Sequence, residues 1–370
     1  MSDSQRAAAE NSLSAARANI AASLRALDVI GKTSSNSTAV PVPASGLHDI
    51  TIQLLTQLRQ TVTTLALTFK PPLTAEAIRP YLDKLTDQVG RLVSCVLAAA
   101  GGGGEATSSL VESWNDAVVR VGDEIQRLLT ILEKGVREPQ ASSSKGESPY
   151  LAHTGMVWEA IDKVSGTLPT DERSAVQQCW EGQKDTVRDA WTEFKEMLED
   201  ADEDDDEDDI FGAGDEDDDE WAELEKAMGG KMTADEKKRA ETAKSVFGLH
   251  QILHATVPRY LHLLELQPEM TYGPLLAAGA EVVAALDTAI SGMYPKQDVA
   301  EIIGSVDALN AKGRALATAF RARLAQSAAP EDQGAVAKSF VDRWETRLDL
   351  EVKAWDEAKL SMSALADALE

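Results

Sequence analysis

Residues 199–220 read EDADEDDDEDDIFGAGDEDDDE, sixteen carboxylates in twenty-two positions with no basic residue among them. Like charges at this density repel in any compact form, and the few apolar side chains cannot offset the entropy of ordering the backbone. The run is read as a solvated linker. It divides a chain of 370 residues, long enough for two domains, into two halves whose hydrophobic residues recur with helical period. The expected fold is all-α: two up-down helical bundles joined by a disordered acidic linker. Residues 1–199 form the first bundle, 200–232 the linker with one short helix around Trp221, Leu224 and Met228, and 233–370 the second bundle.

Immediately upstream of the run, Val176, Trp180, Val187, Trp191, Phe194 and Leu198 form one stripe of a long helix, with Thr170, Asp171 and Glu172 as a capped, dipole-matched start. Acidic residues at its C-terminus oppose the helix dipole, so the last turn is expected to fray. A shorter helix with Leu151, Val157, Trp158, Ile161 and Val164 precedes it across the turn Ser165–Pro169, which makes 150–199 a helix-loop-helix pair. Four further stripes lie upstream. They are Leu13 to Leu27, Ile50 to Phe69, Ile78 to Val96 and Leu110 to Val136, separated by a Ser/Thr/Pro linker, by Pro71-Pro72 and by Gly101–Gly104. Pro80 sits early enough in the third to be tolerated, and Ser148-Pro149 in the loop after Pro139 is the one Ser/Thr-Pro pair in the chain. Downstream, Thr233 and Glu236 form a capping box opening a helix with Val246, Phe247, His250, Leu253, Val257, Leu261 and Leu264, kinked at Pro258. Three more stripes follow: Leu276 to Ile290, Val299 to Leu324 and Val336 to Leu365. No segment has a sustained period of two, so no sheet is expected.

The net charge is −26, and about −10 without the central run, so phosphate-backbone binding has no electrostatic footing. The densest basic group, Lys237-Lys238-Arg239, is flanked by Asp235, Glu236 and Glu241 and reads as an exposed helix face. Two cysteines, Cys95 and Cys179, both within helical patterns, imply no disulfide framework; Cys179 is read as a buried thiol. Charged residues within the first two dozen positions exclude a signal peptide, and no uncharged apolar run approaches the ~20 residues of a bilayer span. Cytoplasm and nucleus are the expected locations.

No catalytic constellation emerges. His250 and His254 stand one helical turn apart, the spacing of a zinc protease, but the second position of the motif is Gln251, an amide that cannot act as general base. They are read as histidines packed at a bundle edge. Gly31-Lys32-Thr33 ends a helix instead of opening one and lacks the upstream glycine of a phosphate-binding loop. Neither catalytic residues nor a metal or cofactor site is assigned.

From Tyr150 to Leu198 the chain resembles the cyclin-D-binding protein family, GCIP. The likeness is carried by Val157-Trp158-Glu159-Ala160, the proline-bearing turn, Val187-Arg188-Asp189-Ala190 and Glu193. Glu207-Asp208-Asp209-Ile210-Phe211-Gly212 resembles the family's acidic stretch, and Thr63-Thr64-Leu65, Phe69 and the ISGMYP of Ile290–Pro295 lie in the family's order. The resemblance implies an all-helical, non-enzymatic regulator that binds D-type cyclins, dampens cell-cycle entry and pairs with helix-loop-helix transcription factors without contacting DNA. No basic helix precedes Tyr150, which agrees with the last point. Trp158, Ile161, Trp180, Val187 and Trp191 would form the partner face, yet the same side chains suit the core of the N-terminal bundle. The intramolecular use is favoured, since each such side chain gains roughly 1.5–3 kcal/mol on burial against helices already tethered to it. Two other readings stand beside this one. Asp208, Asp209, Ile210, Phe211 and Trp221 in and after the acidic run suit a chaperone or decoy for basic partners such as histones, and tandem bundles suit a scaffold.

Overall fold

The computed structural model describes residues 2–29, 44–70, 73–101, 109–137, 149–203, 232–264, 272–327 and 331–366. All of the acidic run beyond Glu203 lies outside these, as do the Ser/Thr/Pro linker, most of the glycine run and Ser148. Among the described residues there is no strand, and the chain is all-α as expected.

Among the described residues there are ten α-helices: α1 (Asp3–Arg25), α2 (Ala44–Thr68), α3 (Ala75–Ala100), α4 (Ser109–Arg137), α5 (Pro149–Thr167), α6 (Glu172–Glu203), α7 (Ala234–Thr256), α8 (Gly273–Ser291), α9 (Val299–Gln326) and α10 (Glu331–Ala366). Their starts follow local chemistry. Ser2 and Gln5 form a capping box on α1, Thr74 accepts from the N–H of Ala77 to open α3, and Asp298 accepts from Ala300 and Glu301 to open α9. The first helix stops at Arg25, short of Gly31, and passes into a 3-10 turn at Ala26–Val29. Pro258 ends α7 where a kink was expected: from Val257 to Leu263 the chain is a 3-10 helix with the proline near its start. At the end of α6 the helix continues through Glu199 and Asp200 to Glu203.

The helices divide into two compact units, Met1–Ala175 and Val176–Glu370. In the first, α1 packs between α3 and α4, α2 between α3 and α5, and α4 against α5, closing five helices around one core. The expected stripes of α3 and α4, from Ile78 to Val96 and from Leu110 to Val136, are buried throughout, whereas Ile50 lies on the exposed side of α2. In the second unit α8 packs on α9, and α7 touches α8, α9 and α10. The residues of α6 from Val176 onward enter the same core through large side chains: Phe194 meets Phe247 edge-on at 5.3 Å and Trp180 stacks on His254 at 5.1 Å.

The boundary at Ala175 differs from the one expected at residue 199. The stripe of α6 is itself the reason. Trp180, Val187, Phe194 and Leu198 are buried among residues of α7 to α10, so α6 from Val176 onward serves the C-terminal core, and only its first turn, through Ala175, joins the N-terminal one.

Candidate interaction surface

The helix pair singled out in the sequence begins with α5, which turns Val157, Ala160, Ile161 and Val164 toward α2 and α4. The connection to α6 is fastened to the start of α4. Trp114 Nε1–H donates to the carbonyl of Pro169 at 2.9 Å, and the Glu172 carboxylate accepts from the N–H groups of Ser109 and Leu110, both at 2.9 Å. Glu172 therefore caps α4 from a distance, supplying negative charge to the positive end of its dipole. The cap of α6 is Asp171, which accepts from the N–H of Ser174 at 2.8 Å; Thr170, expected in that role, donates to Asp171 instead.

The expected partner face is split between the two cores. Trp158 is half-buried on the first unit, with the Arg59 guanidinium 5.4 Å from its ring centroid and Arg59 paired to Asp162. Ile161 is 1% exposed in the first core, while Trp180 and Val187, at 0% and 3%, lie in the second. The Trp180 indole N–H donates to the carbonyl of His254 at 2.9 Å, and Trp191 lies half-buried, its ring 5.9 Å from Phe194. Each face is used inside its own unit, so no single apolar surface of the pair is presented to solvent. Asp208, Asp209, Ile210, Phe211 and Trp221 lie outside the described residues.

The two histidines are core residues, not edge residues: both are fully buried. His250 Nε2–H donates to Asn310 Oδ1 at 3.0 Å, and His254 Nε2–H to Gln183 Oε1 at 3.2 Å. Burial pushes both imidazoles down to about 4; at His250 the Asn310 hydrogen bond opposes burial and the Arg314 charge adds to it. No group of three ligating side chains occurs among the described residues. Cys179, expected to be buried, is on the exposed side of α6.

Glu236 plays a larger part than its capping box suggested. Besides the N–H and hydroxyl of Thr233, its carboxylate accepts from the N–H groups of Lys296 and Gln297 at 2.9 and 3.0 Å. These bonds tie the start of α7 to the turn after Ile290–Pro295, where Lys296 takes φ 71°. Burial raises the Glu236 carboxyl, but the bonds from Thr233, Gln297 and Lys296 outweigh it and hold the group below its ordinary value.

One open groove of the second unit lies beside α8. A groove of about 500 Å³ between α6 and α8 is lined by Gly182, Gln183, Thr186, Ala280, Ala284 and Asp287. At the far end of α8 the Tyr294 hydroxyl is raised above its ordinary value by burial and then by the carboxylates of Glu193 and Asp287.

The family model described as Grap2 and cyclin-D-interacting, N-terminal, matches residues 51–200. This stretch is similar to the GCIP family. No curated protein matches the chain. The GCIP region covers less than half of the chain, from within α2 almost to the end of α6, and so includes both helices of the pair. It crosses the boundary at Ala175. The matched stretch is thus not one packing unit: its last helix, from Val176 onward, completes the core formed by the residues that follow. The family is one of protein-interaction proteins, and the surfaces available to partners are the outer faces of the two units.

Proposed function

We propose that the protein is a non-enzymatic interaction module that binds a D-type cyclin or a cyclin-like partner and, through it, restrains cell-cycle progression in nucleus and cytoplasm. The observation that carries this reading is the GCIP match over residues 51–200. The packing supports a particular form of it. Because the stripes of α5 and α6 are closed into separate cores, the folded chain engages partners through outer helix faces, and pairing with a helix-loop-helix factor through Trp180 and Val187 requires α6 to leave the second core. Exposing Trp180, Val187, Phe194 and Leu198 together costs on the order of 6–12 kcal/mol. The cyclin reading is thereby favoured over direct helix-loop-helix pairing.

Affinity capture tests it. The purified full chain is expected to retain a D-type cyclin and not an A-type cyclin, and to bind an isolated helix-loop-helix dimerisation domain much more weakly. Equal retention of both cyclins, or of neither, would defeat the proposal. Salt-sensitive retention of core histones in preference to cyclin would instead favour the reading of the acidic run as a clasp for basic proteins.

A further inference from the structure

We infer that the groove between α6 and α8 docks a cationic amphipathic helix of a protein partner. The inference rests on the interaction-module reading above and adds a location and a chemistry to it.

Helix α8 is more apolar than its burial requires. Its mean hydropathy reaches 1.4 over an 18-residue window, enough by length and composition alone for a membrane span, yet only 33% of that window is buried. The inward residues, Leu275, Val282, Leu286 and Ile290, fill the core. The outward ones include Ala277, Ala280 and Ala284, all exposed. Across the groove α6 presents Gly182 and Thr186, and the position a Cβ would take at Gly182 has no neighbour within 4 Å. Small side chains on both walls let the backbone of a third helix come close, and ridges of larger side chains on that helix fit between α6 and α8.

The charge along the groove selects the occupant. Gly182, Thr186, Asp189 and Glu193 recur at spacings of four, three and four, one face of α6. Asp287 lines the groove, and Glu193 lies on the same face of α6; both are exposed, both act through their charge to raise the Tyr294 hydroxyl, and neither has a basic partner among the described residues. The groove is apolar at one end and anionic at the other, which suits a helix with alanine or leucine on one side and lysine or arginine along its edge. Other occupants fit less well. The chain's own stretch around Trp221 carries Glu220, Glu223 and Glu225 against Lys226 and would meet like charge. A second copy packed α8 on α8 about Ala284 would set Asp287 against Glu281. An anionic lipid surface would face both Glu281 and Asp287.

The test uses the full chain and a fluorescein-labelled synthetic helical peptide of about 18 residues, leucine and alanine on one face and lysine on the other, with a glutamate version as control. Fluorescence anisotropy is expected to show binding of the lysine peptide alone. Filling the groove with Gly182→Gln and Ala284→Gln, or neutralising its end with Glu193→Gln and Asp287→Asn, is expected to weaken binding at least about tenfold. All four sites are exposed, so circular dichroism should be unchanged. Hydrogen exchange should show protection at residues 182–193 and 277–294. Unaltered affinity in both variant pairs, protection confined to 199–220, groove-dependent self-association in sedimentation, or groove-dependent flotation with anionic vesicles would each overturn the inference. Cyclin capture unaffected by the groove variants would sink the groove alone; peptide binding intact with no cyclin captured would sink the cyclin reading alone.

Discussion

His250 donates its Nε2–H to Asn310 Oδ1 across 3.0 Å, joining α7 to α9 inside the second core, and burial holds the imidazole neutral down to about pH 4. His254, one turn later, is held to about the same value by burial against Trp180 and Gln183. Both histidines take up a proton near pH 6.5 when the chain unfolds. Above that pH neither state is charged and their contribution to stability is fully present. Between 6.5 and 4 the unfolded state binds more protons, so stability falls as pH falls, by on the order of 3 kcal/mol per histidine at the lower end. Urea unfolding of the full chain at pH 7 and pH 5 should show this loss, and His250→Gln with His254→Gln should remove most of it. Glu236 acts lower, since its depressed carboxyl loses its contribution only as pH drops below about 4.5. A decline between pH 7 and 5 that survives the double substitution would place its origin elsewhere.

Gly313 is the residue on α9 that makes room for that imidazole. A Cβ added there would run into His250 Nδ1 and Cε1. Alanine in place of glycine within a helix ordinarily gains about 1 kcal/mol. Here the clash outweighs it, and Gly313→Ala is expected to destabilise by about 1–3 kcal/mol net. A double-mutant cycle is the discriminating measurement: combined with His250→Ala, which removes the obstructing ring, Gly313→Ala should cost far less than it does alone. Full additivity would show that the two positions do not touch.

Most of the fold was legible because most helices alternate sharply between apolar and charged faces. In α4 each apolar position expected inside is inside, from Leu110 to Val136. In α8, where Leu276, Val283, Leu286 and Ile290 were expected inside, Leu286 and Ile290 are buried, but the first two positions fall one residue off, Leu276 and Val283 being only half-buried while Leu275 and Val282 fill the core. Its sequence is apolar nearly all round, so periodicity carries little information about which face turns inward. The same property hid the groove. Val336 was misread for a related reason, as the apolar residue beside it, Ala337, is the one buried, with Val341 one turn further on. The partner of a stripe is not encoded in the stripe: nothing local to α6 tells whether Trp180 meets α1 to α5 or His254, and the acidic run, the strongest landmark in the composition, begins 24 residues beyond the packing boundary it was taken to mark. Gln183 and Asn310, the acceptors for the two histidines, lie about 70 and 60 positions away from them and leave no local signal.

Glu172 lets a single substitution report on the α5–α6 turn. Its carboxylate is the acceptor for two N–H groups at the start of α4, on Ser109 and Leu110, both of which are buried residues. Glu172→Ala should leave both donors unpaired and cost about 1–3 kcal/mol. Glu172→Gln retains one acceptor oxygen and should cost roughly half as much. Amide exchange at residues 109–112, faster in the alanine variant than in the glutamine one, would confirm the cap; equal exchange in both and in the parent chain would remove it.

Val187 decides to which core α6 belongs. It is 3% exposed and surrounded by residues of the second unit, so an aspartate there places an unpaired carboxylate in an apolar site and should cost more than about 3 kcal/mol. Ile161, 1% exposed in the first unit, is the matching position on α5. Limited proteolysis read by mass spectrometry separates the two. Val187→Asp should open cleavage sites in α7 to α10 and leave α1 to α5 resistant, and Ile161→Asp should do the reverse. If Val187→Asp instead exposed α1 to α5, the helix would belong with the N-terminal bundle after all, the boundary would return to the acidic run, and the split of the GCIP region between two cores would be wrong.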